Sequence, residues 1–279
     1  MELSTGVTVA VLAAALLHAA WNAMIKSSAD KLLDTALVCF GGSLIALPLI
    51  PFVEQPAPAS WPYLAGSMAV HIGYFSAIVG AYRAGDLSHG YPIMRGIAPV
   101  LVTLATAFGL GETVTPAAWA GVALICGGVL SLGLAGFDWT HTRAFSWALF
   151  NALIIATYTL IDGYGVRVSG SPAGYVLWMF VLDCLPFGLI VLAMRRRQMA
   201  DYLAAQWRRG LLGGICSFGA YGIAVWAMSR APVAAVAALR ECSVVFAALM
   251  GTWFLGEGHA RQRLAGAAAV VAGIVAIKL

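Results

Sequence analysis

The sequence predicts an all-α integral membrane protein of ten transmembrane helices, arranged as two inverted-topology five-helix repeats. Three observations carry this expectation: an apolar composition, the number of apolar runs that the length can hold, and a self-similarity at a shift of 145 residues. Of 279 residues, 61% are hydrophobic and only 10% charged, and the mean hydropathy is +0.88. Soluble domains carry roughly 25% charged residues, so the charges here are too few to coat a water-facing surface. A disordered chain, a nucleic-acid-binding module and an ordinary cytosolic enzyme are excluded on that ground. A spanning helix needs roughly 20 mostly apolar residues, so ten take about 200 and leave only short connections. The runs are long and rich in Ala, Leu, Val and Gly, unlike the short alternating segments of a barrel.

The expected spans are 5–26, 33–53, 61–83, 88–110, 116–134, 144–165, 172–194, 208–229, 232–255 and 260–279. The first has no basic segment before it, so it reads as a retained span and not as a cleaved signal. The fifth, seventh and ninth begin at Pro116, Pro172 and Pro232, where a first helical residue has no use for its N–H. Pro48, Pro99 and Pro186 fall inside spans and mark kinks. The polar stretch 195–209 reads as a loop joining the seventh and eighth spans. Cys39, Cys126, Cys184, Cys216 and Cys242 lie singly in apolar runs and read as small buried hydrophobes, with no metal-ligand or disulfide spacing.

Lysines and arginines sort by side. Eleven (Lys26, Lys31, Arg83, Arg143, Arg195, Arg196, Arg197, Arg208, Arg209, Arg261, Arg263) fall on one face and three (Arg167, Arg230, Lys278) on the other. The positive-inside rule makes the rich face cytoplasmic, including the 195–209 loop, with both termini on the opposite side.

The self-similarity aligns 95–132 with 240–277 without a gap. Arg95 meets Arg240, Val100 meets Val245, and Leu110-Gly111-Glu112 meets Leu255-Gly256-Glu257. Gly121 and Gly128 meet Gly266 and Gly273, and the arginine precedes the glutamate by 17 residues in both copies. Trp21 aligns with Tyr158 and Pro48 with Pro186 at slightly smaller shifts. The copies define repeats over 1–138 and 139–279. Five spans is an odd number, so the second copy enters the membrane from the opposite side, and a binding site is expected between the halves near mid-membrane.

Two five-span halves, each with Leu-Gly-Glu followed by a glycine-containing last span, resemble the drug/metabolite transporter superfamily, EamA type. The resemblance covers the whole chain and departs from itself at Val244, which stands where the first copy has Pro99. It implies a secondary transporter of a small metabolite in the bacterial cytoplasmic (inner) membrane, without cofactor, as a monomer or homodimer. Its coupling partner would be a proton or an exchange substrate. The segment HAAWNAMIK (His18 to Lys26) is similar to an EamA-like subgroup associated with phosphonate use, which would imply uptake of a small phosphonate.

Charges inside an apolar span cost about 2.5–3.5 kcal/mol each on insertion scales. Arg95 and Arg240 are therefore candidate clamps for a carboxylate or phosphonate, which a guanidinium grips with two parallel N–H groups. Asp183 and Glu241 are candidate coupling acids, or counter-charges to those arginines. Asn22, His71, Tyr74, Tyr91, Trp21, Tyr158, Trp178 and Tyr221 are candidate lining residues. Gly111, Glu112, Gly256 and Glu257 read as a structural motif that fixes the loop before the next helix. No HExxH, GxSxG or Walker loop is present. Gly163-Tyr164-Gly165 lacks the Thr-Val that a potassium filter requires. An enzyme, a channel and a non-transporting scaffold are the competing classes.

Overall fold

The computed structural model of the chain describes residues 3–84, 87–109, 112–134, 142–247 and 260–278, and among these all regular structure is helical. Cap chemistry sets several starts. Ser4 accepts from the Val7 amide ahead of α1 (Thr5–Lys26), and Asp30 accepts from Leu32 and Leu33 ahead of α2 (Lys31–Leu49). Two short 3₁₀ turns then lead to α3 (Trp61–Ala84). α4 (Leu87–Leu104) widens into a π turn over Ala105–Gly109 before α5 (Pro116–Leu134). α6 (Thr142–Val168) is joined to α7 (Pro172–Met194) through Gly170, whose φ of 67° suits a residue without Cβ. Pro172 opens α7 as expected, and Ser171 before it caps the helix by accepting from the Gly174 amide. α8 (Arg196–Met228), α9 (Val233–Arg240) and α10 (Ala260–Lys278) follow.

Two elements differ from expectation. The polar stretch 195–209 is not a loop: α8 begins at Arg196 and runs through it, breaking only at Gln206, where φ is −121° and ψ 15°. Its Arg, Gln, Met, Ala and Leu residues are good helix formers, and Met199 anchors it inward while Arg196, Arg197 and Gln198 face outward. The ninth span is not continuous. α9 stops at Arg240, the chain turns at Glu241, and helix resumes over 242–247.

Around an apolar core, the helices expose large apolar side chains and bury several charged ones. Leu44, Phe108, Leu153 and Val271 are exposed, whereas Arg95, Asn151, Asp162, Asp183 and Arg240 are buried. Among the described residues, five segments are long and apolar enough to cross a membrane: Thr5–Ile25, Lys31–Phe52, Phe145–Val168, Pro172–Met194 and Arg196–Met228. Shorter apolar stretches lie at Ile93–Gly109, Pro116–Ser131 and Ala265–Lys278.

Packing sets α5 against α10, α2 against α7 and α8, α1 against α8, and α3 against α6 and α7. α4 lies against α5, α6 and α9, and α1 also meets α9. Glycine makes the tightest seams. A Cβ at Gly121 would stand 2.7 Å from the Gly273 carbonyl oxygen, and one at Gly273 would stand 2.7 Å from that of Gly121. Gly128 meets the Gly266 carbonyl in the same way at 2.8 Å. Small residues at these places let helix backbones touch.

Candidate functional site

A polar stripe runs up α3. Tyr63, Ser67, His71 and Tyr74 recur at helical spacing and face α6 and α7. The His71 Nδ1 lies 3.0 Å from the Ser67 carbonyl oxygen and 3.3 Å from Asp183 Oδ2. Two acceptors around that nitrogen assign it the ring hydrogen. The Ser67 hydroxyl reaches Asp183 at 3.5 Å. Asp183 Oδ1 is buried without a hydrogen-bond partner.

α6 contributes Tyr158 and, one turn on, Asp162. The Tyr158 and His71 rings lie 4.4 Å apart. Asp162 is fully buried and accepts from the Tyr221 hydroxyl at 2.6 Å and the Tyr175 hydroxyl at 3.2 Å. The Tyr221 ring in turn carries the Arg240 guanidinium, 4.7 Å from its centroid. Two carboxylates, one imidazole and one guanidinium thus meet around three tyrosines.

Arg95 and Arg240, matched by the repeat, have different surroundings. Arg95 is 3% exposed; its Nε lies 2.9 Å from Glu241 Oε2, and it donates to Ser243 at 3.4 Å. The break after α9 places Glu241 and Ser243 there. Arg240 is 7% exposed and, among the described residues, has no carboxylate within ion-pair distance. His18 is in electrostatic reach of both arginines. Its ring stands edge-on to Trp21, at 5.1 Å.

The structure therefore brings together Arg95, Arg240, His71, Tyr74, Tyr158, Tyr221, Asp183 and Glu241. Asn22 donates to the His18 carbonyl of its own helix at 2.8 Å, which spends that amide hydrogen locally. Trp21 keeps a buried Nε1 without a partner. Trp178 departs from expectation: it donates to Gln55 at 2.7 Å and packs on Trp61 at one end of the bundle, away from this cluster. Its position near the start of α7 puts it more than a helical turn from Asp183. The Tyr91 side chain, Gly111, Gly256 and Glu257 lie outside the described residues. Sequence reasoning passed over Asp162, Ser67 and Tyr175. The spacing of Asp162 one turn from Tyr158, and of Ser67 one turn from His71, was the available signal.

Each end of the bundle carries its own ionic tie. At one, Arg167 binds Glu112 and donates to the carbonyls of Met228 at 2.9 Å and Ala231 at 3.0 Å. Glu112 thus fixes its loop to α6 and to the turn after α8. At the other, Arg195 meets Asp30 at 2.6 Å. Arg209 meets Asp34 at 3.1 Å and also donates to Ser27 and the Met24 carbonyl.

Residues 142–279 match the sequence profile of the EamA-like transporter family. One solved structure, described only as the crystal structure of a protein, superposes with a TM-score of 0.77 at 20% identity. The superposition covers 98% of this chain and 98% of that one, so the two share a fold. No curated protein matches the chain in sequence.

Proposed function

The chain belongs, through residues 142–279, to the EamA-like transporter family of the drug/metabolite transporter superfamily, and from that membership we propose a secondary transporter that moves a small polar metabolite by alternating access. As a family member it is a multi-pass membrane protein. The observation that carries the reading is Arg240: a buried guanidinium, stacked on Tyr221, with no carboxylate within ion-pair distance among the described residues. A guanidinium buried in this way suits the carboxylate of an amino or organic acid.

The architecture is ten spans in two inverted repeats, 1–138 and 139–279. The packing supports it. Exchanging each helix for the one five places along turns the α3–α6 contact into α8–α1 and the α4–α6 contact into α9–α1, and returns α2–α7 and α5–α10 to themselves. The exchange also turns the Gly121–Gly273 contact into Gly266–Gly128, which is made as well. The site sits between the halves, as such repeats place it. The protein resides in the bacterial inner membrane with 195–209 cytoplasmic and both termini opposite, a reading that rests on the lysine and arginine count. Coupling comes from an ion gradient or an exchanged solute, and the chemistry is binding without bond cleavage.

Uptake of a small phosphonate is the second reading. It is favoured by the α1 segment His18 to Lys26, whose His18 lies in reach of both Arg95 and Arg240. One experiment separates the readings: thermal-shift screening of the purified protein against amino acids, short carboxylic acids and aminoalkylphosphonates, then counterflow of each hit in proteoliposomes. Saturable counterflow that Arg240→Ala abolishes is expected. No counterflow for any hit, or equal counterflow by Arg240→Ala, overturns the proposal.

A further inference from the structure

Asp162 is a fully buried acid on α6 to which the reading above gives no task. Among the described residues no arginine or lysine pairs with it, and its carboxylate is held by two tyrosine hydroxyls, Tyr175 from α7 and Tyr221 from α8. Its surroundings are rich in exchangeable protons. His71 from α3 lies within electrostatic reach of it, and so does Asp183 from α7, which shares His71 and Ser67 with it. Asp183 Oδ1 is buried and unpartnered, which leaves one acceptor position open in the same pocket. Tyr63 and Tyr74 on α3 and Tyr158 on α6 complete the titratable groups on that side. On the other side stand Arg240 on α9, and Arg95 of α4 with its partner Glu241. Two carboxylates around one imidazole, away from water, form a place where a proton is held and released.

We propose that Asp162 is the proton-binding residue of this transporter and that Tyr221 ties its protonation to anion binding at Arg240. The proposal rests on the transport reading. Tyr221 is the physical link because its hydroxyl touches Asp162 while its ring carries Arg240. With Asp162 ionised, a negative charge stands one aromatic ring away from Arg240 and competes with any anion there. A proton from water added to a carboxylate oxygen removes that charge and changes the bond to Tyr221 from acceptance to donation or release. Anion binding at Arg240 is then favoured. By linkage the anion favours the proton equally, so the two travel together. The sign is definite: anion affinity rises as pH falls. Tyr221 is a positioning residue in this scheme.

The test needs no knowledge of the natural solute. In pH-difference infrared spectra of the purified full chain, the protonated-carboxyl C=O band of a buried acid is expected to titrate. The band should be lost in Asp162→Asn, keep its size in Glu241→Gln, and shift in midpoint in Tyr221→Phe, which retains the ring beneath Arg240. Asp162→Glu, which keeps the acid, covers the case that the asparagine variant does not fold; it should move the band without removing it. A band unchanged in Asp162→Asn, or no titrating carboxyl band in the wild type, overturns the proposal. Methanesulfonate, whose charge does not vary with pH, probes the link. Its thermal stabilisation of the wild type should grow at least tenfold in apparent affinity as pH falls, and lose that dependence in Tyr221→Phe. A dependence that Tyr221→Phe preserves overturns the link. A protein that titrates at Asp162 but moves no solute removes the transport reading and leaves this site standing. Transport without an Asp162 band does the reverse.

Discussion

Arg95 Nε and Glu241 Oε2 lie 2.9 Å apart, with both side chains almost wholly shielded from solvent. Removing one member of such a buried pair strands the other and costs about 3–5 kcal/mol, whereas replacing both by apolar groups is often neutral. Glu241→Gln is therefore expected to lower the thermal unfolding temperature in detergent markedly. Arg95→Met combined with Glu241→Leu should recover most of the loss. An unchanged midpoint for the single variant would remove the pair from the list of structural ties.

Arg240 is expected to behave differently, because its proposed counter-charge is the solute. Truncating a buried charge that binds an opposite charge costs about 2–5 kcal/mol. Arg240→Ala should weaken counterflow of the screened hit by roughly 30-fold or more on that scale, with little change in thermal stability. Arg240→Lys should recover only part of it, since an ammonium has neither the planar fork nor the face that stacks on Tyr221.

The glycine seam makes a prediction with an internal control. Gly128 faces the Gly266 carbonyl and Ala269, whereas a Cβ at the adjacent Gly127 would meet nothing within 4 Å. Gly128→Val should destabilise by about 1–3 kcal/mol, the usual cost of overpacking. Gly127→Val should be tolerated. Comparable losses in the two variants, read by thermal unfolding, would mean that α5 and α10 do not meet as described.

Orientation is open to direct labelling. In a cysteine-free background, Ser27→Cys and Ala205→Cys are expected to resist a membrane-impermeant maleimide applied to intact cells and to react once the cells are opened. Thr115→Cys and Ser229→Cys should react in intact cells. The opposite pattern would invert the topology read from the lysine and arginine count.

The legible parts of the fold were those written in local chemistry. The Ser171-Pro172 start, the apolar runs and the matched glycines are each visible in a few adjacent residues or in one alignment. Arg95 and Arg240 stood out because a charge in an apolar run is costly and must meet a partner. Asp162 was not. The sixth span was expected to end at 165, which puts Asp162 near a wet interface, but α6 continues to Val168. Three further residues add about 4.5 Å of helix and carry Asp162 inward. The partners of Arg95 and Arg240 were illegible for another reason: the turn at Glu241 decides which arginine receives the acid, and that turn has no proline or glycine to announce it. The 195–209 helix was hidden because charge density imitates a loop while helix propensity depends on the side-chain stems.

The seam between Gly121 and Gly273 also bears on how the molecule can move. Ile277 of α10 is seated against Gly121 and Ile125 of α5 against Gly273, each next to the place a Cβ would take. Two pegs set in opposite directions, with backbone touching between them, oppose both sliding and twisting of one helix on the other. α5 and α10 then swing as one strut, and a tilt that reaches α5 from α4, the helix of Arg95, is handed across the seam whole.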